Sequence, residues 1–187
     1  MSKEALYVYA NEYMATDKIK EKIAALKDEL INDFYEICIL CIGSDRATGD
    51  SLGPIVGLKL REILPQKSAK IYGDLKTPIH AGNILSAIEK IYAENHRPFI
   101  IAVDAALSIS PAHVGRLNIG QGPLRPGASV GKELPTVGHI HITGVVNWMP
   151  ALGGLSALQS TRLGNVFDMA KIIAEGIARA LIYDFPQ

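Results

Sequence analysis

The chain is poor in cysteine, poor in aromatic side chains and without any surplus of charge. Its 187 residues include two cysteines, one tryptophan and 6% aromatics, and 19 Lys plus Arg balance 19 Asp plus Glu. Two cysteines are too few for the disulfide scaffold of a small secreted domain. A net charge of zero lacks the basic footprint of a nucleic-acid-binding domain, so no nucleic-acid partner is expected. No apolar run approaches the roughly 20 residues that span a bilayer. The most apolar stretch, Pro98 to Leu107, is short and broken by Asp104. The opening Met1-Ser2-Lys3-Glu4-Ala5 places an acid where a secretory signal needs an apolar core. These absences predict a soluble cytoplasmic protein with no membrane partner.

What remains is an ordinary globular composition, 48% hydrophobic and 20% charged, long enough to bury a core unaided. From Thr16 to Asn32, Ile19, Ile23, Leu26 and Leu30 recur at helical spacing, with Thr16 or Asp17 as N-cap. Residues 1–35 therefore read as an N-terminal helical extension, and 36–187 as a single α/β domain. Ile37 to Ile42 is a continuous apolar run ended by Gly43, the pattern of a buried strand. A helix follows from Ser51 to Leu64, with Pro54 tolerated in its first turn. Further elements are a strand at Ala69–Tyr72 and a helix at Ala81–Glu94 with Ile84, Leu85, Ile88 and Ile91 on one face. Strands at Phe99–Val103, Val114–Ile119 and His139–Val146 come next. The last helix, Arg162–Tyr183, turns Leu163, Val166, Phe167, Ala170, Ile173, Ile177 and Leu181 inward. Buried strands alternating with helices predict a largely parallel sheet with helices on both faces.

In such a sheet, ligands bind beyond the carboxyl ends of the strands where the chain order reverses. Two predicted strands deliver an aspartate to that edge: Asp50 after the first buried strand, and Asp104 after Val103. At a helix start, Asp50 is expected to have a depressed pKa, while Asp104, leaving an apolar strand, is expected to be raised. Carboxyls so separated supply a base and an acid. The same residues also fit a helix cap and a strand-end hydrogen-bonder.

Other patterns carry less. His139 and His141, two apart on a strand, share a face as metal ligands would. With no Cys or acid at matching spacing they read as a polar edge of the cleft, and neither metal nor cofactor is expected. His80 is either a cleft residue or an ordinary loop residue. Cys38 and Cys41 sit three apart in a strand, on opposite faces, and read as core. The loop 120–138 is long enough to suggest function.

The pieces Gly43-x-Asp45-x-x-Thr48-Gly49-Asp50-Ser51-Leu52-Gly53-Pro54, Asp104-Ala105, Gly122-Pro123-Leu124-x-Pro126-Gly127 and His139-Ile140-His141-Ile142-Thr143-Gly144 resemble the YyaC family of sporulation proteins. Leu158-Gln159-x-Thr161-Arg162-Leu163 is similar too. That family resembles the spore germination protease and, more distantly, the hydrogenase-maturation endopeptidases. The resemblance implies a three-layer α/β sandwich with a mixed, mainly parallel sheet, phosphorylase/hydrolase-like and maturation-protease-like. It implies a spore-associated peptidase, in the forespore or spore interior, with Asp50 and Asp104 as the catalytic pair and a protein or peptide as substrate. Asp45, Thr48, Gly127, Ser129, His139 and His141 would bind that substrate. The maturation enzymes place a metal-binding Glu where this chain has Asp50. The alternatives are a non-catalytic sporulation protein that binds peptide in the same cleft, and a metal-guided processing endopeptidase.

Overall fold

In the computed structural model, residues 5–31, 36–127, 134–149 and 153–182 are described. Strand β1 (Leu6–Tyr9) leads into helix α1 (Ala15–Leu30), then β2 (Glu36–Cys41). A 3-10 turn (Gly49–Ser51) runs directly into α2 (Leu52–Ile63) and on to β3 (Lys70–Tyr72). Helix α3 (Ile84–Glu94), β4 (Pro98–Ser108), β5 (Arg116–Gln121) and β6 (Ile140–Trp148) follow. The short α4 (Gly154–Gln159) precedes the long α5 (Leu163–Ile182).

The six strands form one sheet in the order β1-β5-β6-β4-β2-β3. Strands β3, β2, β4 and β6 are mutually parallel, and β5 runs antiparallel to both β6 and β1. The sheet is thus mixed and mainly parallel. From β2 the chain goes outward to β3 and then returns to place β4 on the other side of β2. The order therefore reverses between β2 and β4, and the crevice beyond their carboxyl ends is the topological switch point.

Two apolar layers lie on opposite faces. On one, Ile39, Cys41, Ile101, Val103, Ile140 and Leu117 pack against Ile19 and Ile23 of α1, Leu52 and Val56 of α2, and Ile173 and Ile177 of α5. On the other, Cys38, Leu40, Ile100 and Ala102 pack against Ile84 and Ile91 of α3, with Leu124 and Val137 from the loop before β6. Helices on both faces of the sheet make a three-layer α/β sandwich, as expected. The second layer draws no described residue from β1, β5 or β6, so α3 covers only the β3-β2-β4 half of its face.

Several local expectations are corrected. The first residues contribute a strand, β1, as well as the helix; its four residues are too short to show a period. Helix α1 starts at Ala15 after Met14 in a left-handed conformation, without a side-chain cap. Asp17 lies in the first turn and accepts from Arg179 Nη1 at 2.9 Å. On α5, Leu163 and Phe167 are exposed, and Lys59 stands 4.1 Å over the Phe167 ring. Leu85 is likewise exposed on α3. A helical stripe of that width includes its own boundary positions, and those face water.

Candidate functional site

The segment Gly43–Pro54 returns upon itself to place Asp50 in the switch-point crevice. Gly43 has φ 136°, and a Cβ there would lie 1.9 Å from the Asp50 carbonyl oxygen. A Cβ on Gly53 would lie 2.1 Å from the Ile42 carbonyl oxygen. Only glycine permits both close approaches, one turning the loop and one seating α2 against the end of β2. The Ser44 amide donates to the Asp50 carbonyl at 3.1 Å, and Ser51 Oγ donates to the Thr48 carbonyl at 2.6 Å. Ser44 Oγ accepts from the Arg46 amide at 3.1 Å, which tightens the intervening turn.

Asp104 arrives from the neighbouring strand. Cys41 of β2 pairs with Val103 of β4, and Asp104 is the next residue, opposite Thr143 of β6. Because Ile101 and Val103 face the α1/α2/α5 layer, alternation turns Asp104 to the other face. It is 7% exposed, and its Oδ1 accepts from the Ala105 amide at 2.8 Å. Burial holds its carboxyl well above the usual carboxylate range; the Ala105 amide opposes this, and repulsion from Asp50 adds to it. The two acids therefore feel each other across the crevice.

Asp50 corrects an expectation. Its pKa is raised, chiefly by burial, against the lowering influence of the Ser44 amide and of His80. A 3-10 turn of three residues carries little dipole, and the cost of leaving water exceeds it. Both carboxyls are thus held above the ordinary value, each chiefly by burial, and the charge of Asp50 adds to the effect at Asp104.

A third group completes the crevice. The Gly43 amide donates to the Ile79 carbonyl at 2.7 Å, and Ile42 forms a parallel bridge with Ile79, which brings His80 alongside Asp50. His80 Nδ1 accepts from the Gly82 amide at 3.0 Å, and its own amide donates to Asn83 Oδ1 at 2.8 Å. The approach is anchored by Asp74, which is buried. It accepts from the amides of Lys76 (2.8 Å) and Thr77 (2.7 Å), the Thr77 hydroxyl (3.0 Å) and Arg61 Nε (2.7 Å). Burial works to raise the Asp74 pKa, but these donors together hold it below the ordinary value.

The remaining sequence-derived positions are distributed unevenly. Asp45 and Thr48 share the Asp50 loop, Asp45 exposed and Thr48 half-buried. His141 lies on β6 level with Ala102, two residues before the Asp104 row, and its Nδ1 is 3.0 Å from the Gly122 carbonyl. His139 is set back further, ~13 Å along the strand from that row. Its Nδ1 accepts from the Ile100 amide at 3.0 Å, its ring stacks on Phe99 at 5.1 Å, and burial lowers its pKa. It is held by the sheet rather than brought to the acids. Gly127 occupies a turn at φ 73°, and Ser129 lies outside the described residues.

Cys38 and Cys41 lie in opposite apolar layers, and burial pushes their thiols up to about 11 and about 12. Both are core residues. Among the described residues no three His, Cys, Asp or Glu side chains are grouped to hold a metal ion. Among them, too, no helix is long and apolar enough to cross a membrane. Sequence reasoning missed the role of Ser44, whose only signal is its place directly after the strand-ending glycine.

The fold is that of a mixed-sheet α/β protein, with two carboxyls, Asp50 and Asp104, near its switch point. The chain belongs to the family described as "Protein of unknown function (DUF1256)", whose profile matches residues 7–176. It is similar to "Uncharacterized protein YyaC" of Bacillus subtilis (strain 168), with 46% identity over 142 residues, 76% of this chain and 68% of that protein.

Proposed function

We propose that the switch-point cleft binds a peptide segment, with Asp50 and Asp104 engaging one peptide group. The observation behind this is a pair of carboxyls withdrawn from water at the strand-order reversal, with the charge of Asp50 felt at Asp104. A protonated Asp104 donates to a carbonyl oxygen, and an ionised Asp50 accepts from an N–H. A peptide group offers one of each. His80 beside Asp50 favours the ionised partner.

A second reading adds hydrolysis. With a water between the acids, Asp50 takes its proton as oxygen attacks the carbonyl, while Asp104 polarises that carbonyl and later protonates the leaving amine. Two interacting carboxyls titrate as a pair, so the pH–rate profile would belong to both. A spore setting for either reading rests on the resemblance of this chain's motifs to the YyaC family of sporulation proteins.

The test is an assay of peptide binding and cleavage for wild type, Asp50→Asn and Asp104→Asn. Binding without cleavage in the wild type, weakened in either variant, supports the first reading. Cleavage lost by about 100-fold or more in both variants supports the second. Binding indifferent to both substitutions excludes the cleft.

A further inference from the structure

The half of the sheet face beyond α3 is not a plain surface. Register across it sets Asp104 opposite Thr143, Thr143 opposite Asn118, and Asn118 opposite Tyr7. A single row thus runs from the buried acid to the edge strand. Since Leu117 and Ile119 are buried in the layer below, Arg116 and Asn118 both turn to the opposite face. Tyr7, at the end of the row, is 58% exposed.

Two polar atoms on this strip are buried without hydrogen-bond partners: Arg116 Nε and Asn118 Oδ1. Folded proteins rarely leave such groups unpaired, because a buried polar atom without a partner is costly. Here a donor and an acceptor stand two residues apart on one strand and one face. The Arg116 Cζ lies 4.9 Å from the centroid of the Tyr7 ring, a cation–π contact that restrains the side chain. A guanidinium is a planar fork of donors suited to a planar carboxylate. Along the strip Arg116 is the cation and Asp104 the acid, and the two stand two strands apart.

We infer that this strip is the substrate-recognition surface of the cleft, with Arg116 reading a carboxylate and Asn118 accepting an N–H of the same peptide. The inference rests on the peptide-binding reading and adds its specificity, an acidic segment. Two strand spacings and two residues separate Arg116 from Asp104, about 12 Å. An extended peptide covers that in about three or four residues. The acidic residue therefore lies that far from the peptide group engaged by Asp104.

The test uses fluorescently labelled peptide pools randomised over uncharged residues, with either one fixed Glu or one fixed Gln. Binding is measured to full-length wild type, Arg116→Gln, Arg116→Lys and Asn118→Ser, each checked by thermal melting. The wild type should favour the Glu pool by about tenfold or more. Arg116→Gln should bind both pools equally, Arg116→Lys should lose most of the preference, and Asn118→Ser should weaken both pools. Arg116→Lys keeps the question open to measurement if Arg116→Gln does not fold. Equal binding of the pools by wild type, or an undiminished preference in both Arg116 variants, overturns the strip and leaves peptide binding standing. Failure of wild type to bind either pool overturns both. Glu-selective binding without cleavage supports the strip and removes hydrolysis alone.

Discussion

The carbonyl oxygen of Asp50 occupies the space a side chain at position 43 would need, so Gly43 and Asp50 are one structural unit. A Cβ on Gly43 would stand 1.9 Å from that oxygen, on a backbone at φ 136°. Gly43→Ala is therefore expected to destabilise the fold by about 3 kcal/mol or more and to displace Asp50. Chemical denaturation measures the first effect, and peptide binding the second. A variant of wild-type stability would show that the loop turns without this contact.

Asp104 gives stability a definite pH dependence. In the unfolded chain its carboxyl ionises near the ordinary value of 3.8, and in the folded chain only at a higher pH. The folded state holds the proton more tightly, so stability falls as pH rises through that interval, by up to about 1.4 kcal/mol per unit. Asp50, raised in the same direction, adds to the slope. Asp104→Asn, neutral at every pH, should equal or exceed wild type in melting temperature at pH 8 and lose that advantage towards pH 4. Parallel melting curves for the two proteins across this range would contradict the burial of an acid at this position.

Asp74 should behave oppositely. Its folded pKa lies below the ordinary 3.8, so its contribution is present above that value and is lost as pH falls through the folded one. Asp74→Ala strips partners from two amides and from Arg61, and should cost about 1–3 kcal/mol at neutral pH. It should also loosen the approach to His80, seen as faster amide exchange at Ile79 and His80. Unchanged exchange there would separate Asp74 from the site.

Helix α1 is joined to α5 through a close contact between Ile19 and Gly176. A Cβ at position 176 would come within 2.6 Å of Ile19 Cγ2, and Ile19 is fully buried. Ile19→Ala should cost about 2–4 kcal/mol, and Gly176→Ala should also destabilise. Combined, the added methyl enters the vacated space, so the double variant should be more stable than the sum of the singles predicts. Strict additivity would mean that the helices do not meet there.

The long apolar stripes and continuous strand runs made most of the architecture readable. Ile37–Ile42, Phe99–Val103 and the spacing from Val166 to Leu181 each state a burial pattern that needs no partner to interpret. Short or polar elements stayed hidden. Strand β1 shows only Val8 buried between exposed tyrosines, and the end of β4 beyond Asp104 is composed of small and half-buried residues. The strand-end rule pointed to Asp50 and Asp104, which the fold brings within reach of each other's charge. The direction of the Asp50 shift was not legible, because desolvation depends on what surrounds a residue in space. His139 shows a related limit. Alternation tells which face a side chain takes, while its height along the strand depends on register with a neighbour. Asn118 and Arg116 gave no signal until β5 was paired with β6.

Strand β1 has one more consequence, which concerns synthesis. Leu6 to Tyr9 pair with Ile119 to Arg116, more than a hundred residues later in the chain. As the chain leaves the ribosome, this segment must wait without its hydrogen-bonding neighbour until β5 has been made, and β5 in turn awaits β6. Of the sheet's strands, this edge strand is thus the first translated and among the last secured. Closure of so distant a pairing is slow relative to local helix formation. Nascent chains halted before residue 116 would present β1 as an unpaired strand, open to chaperones and to other copies of itself.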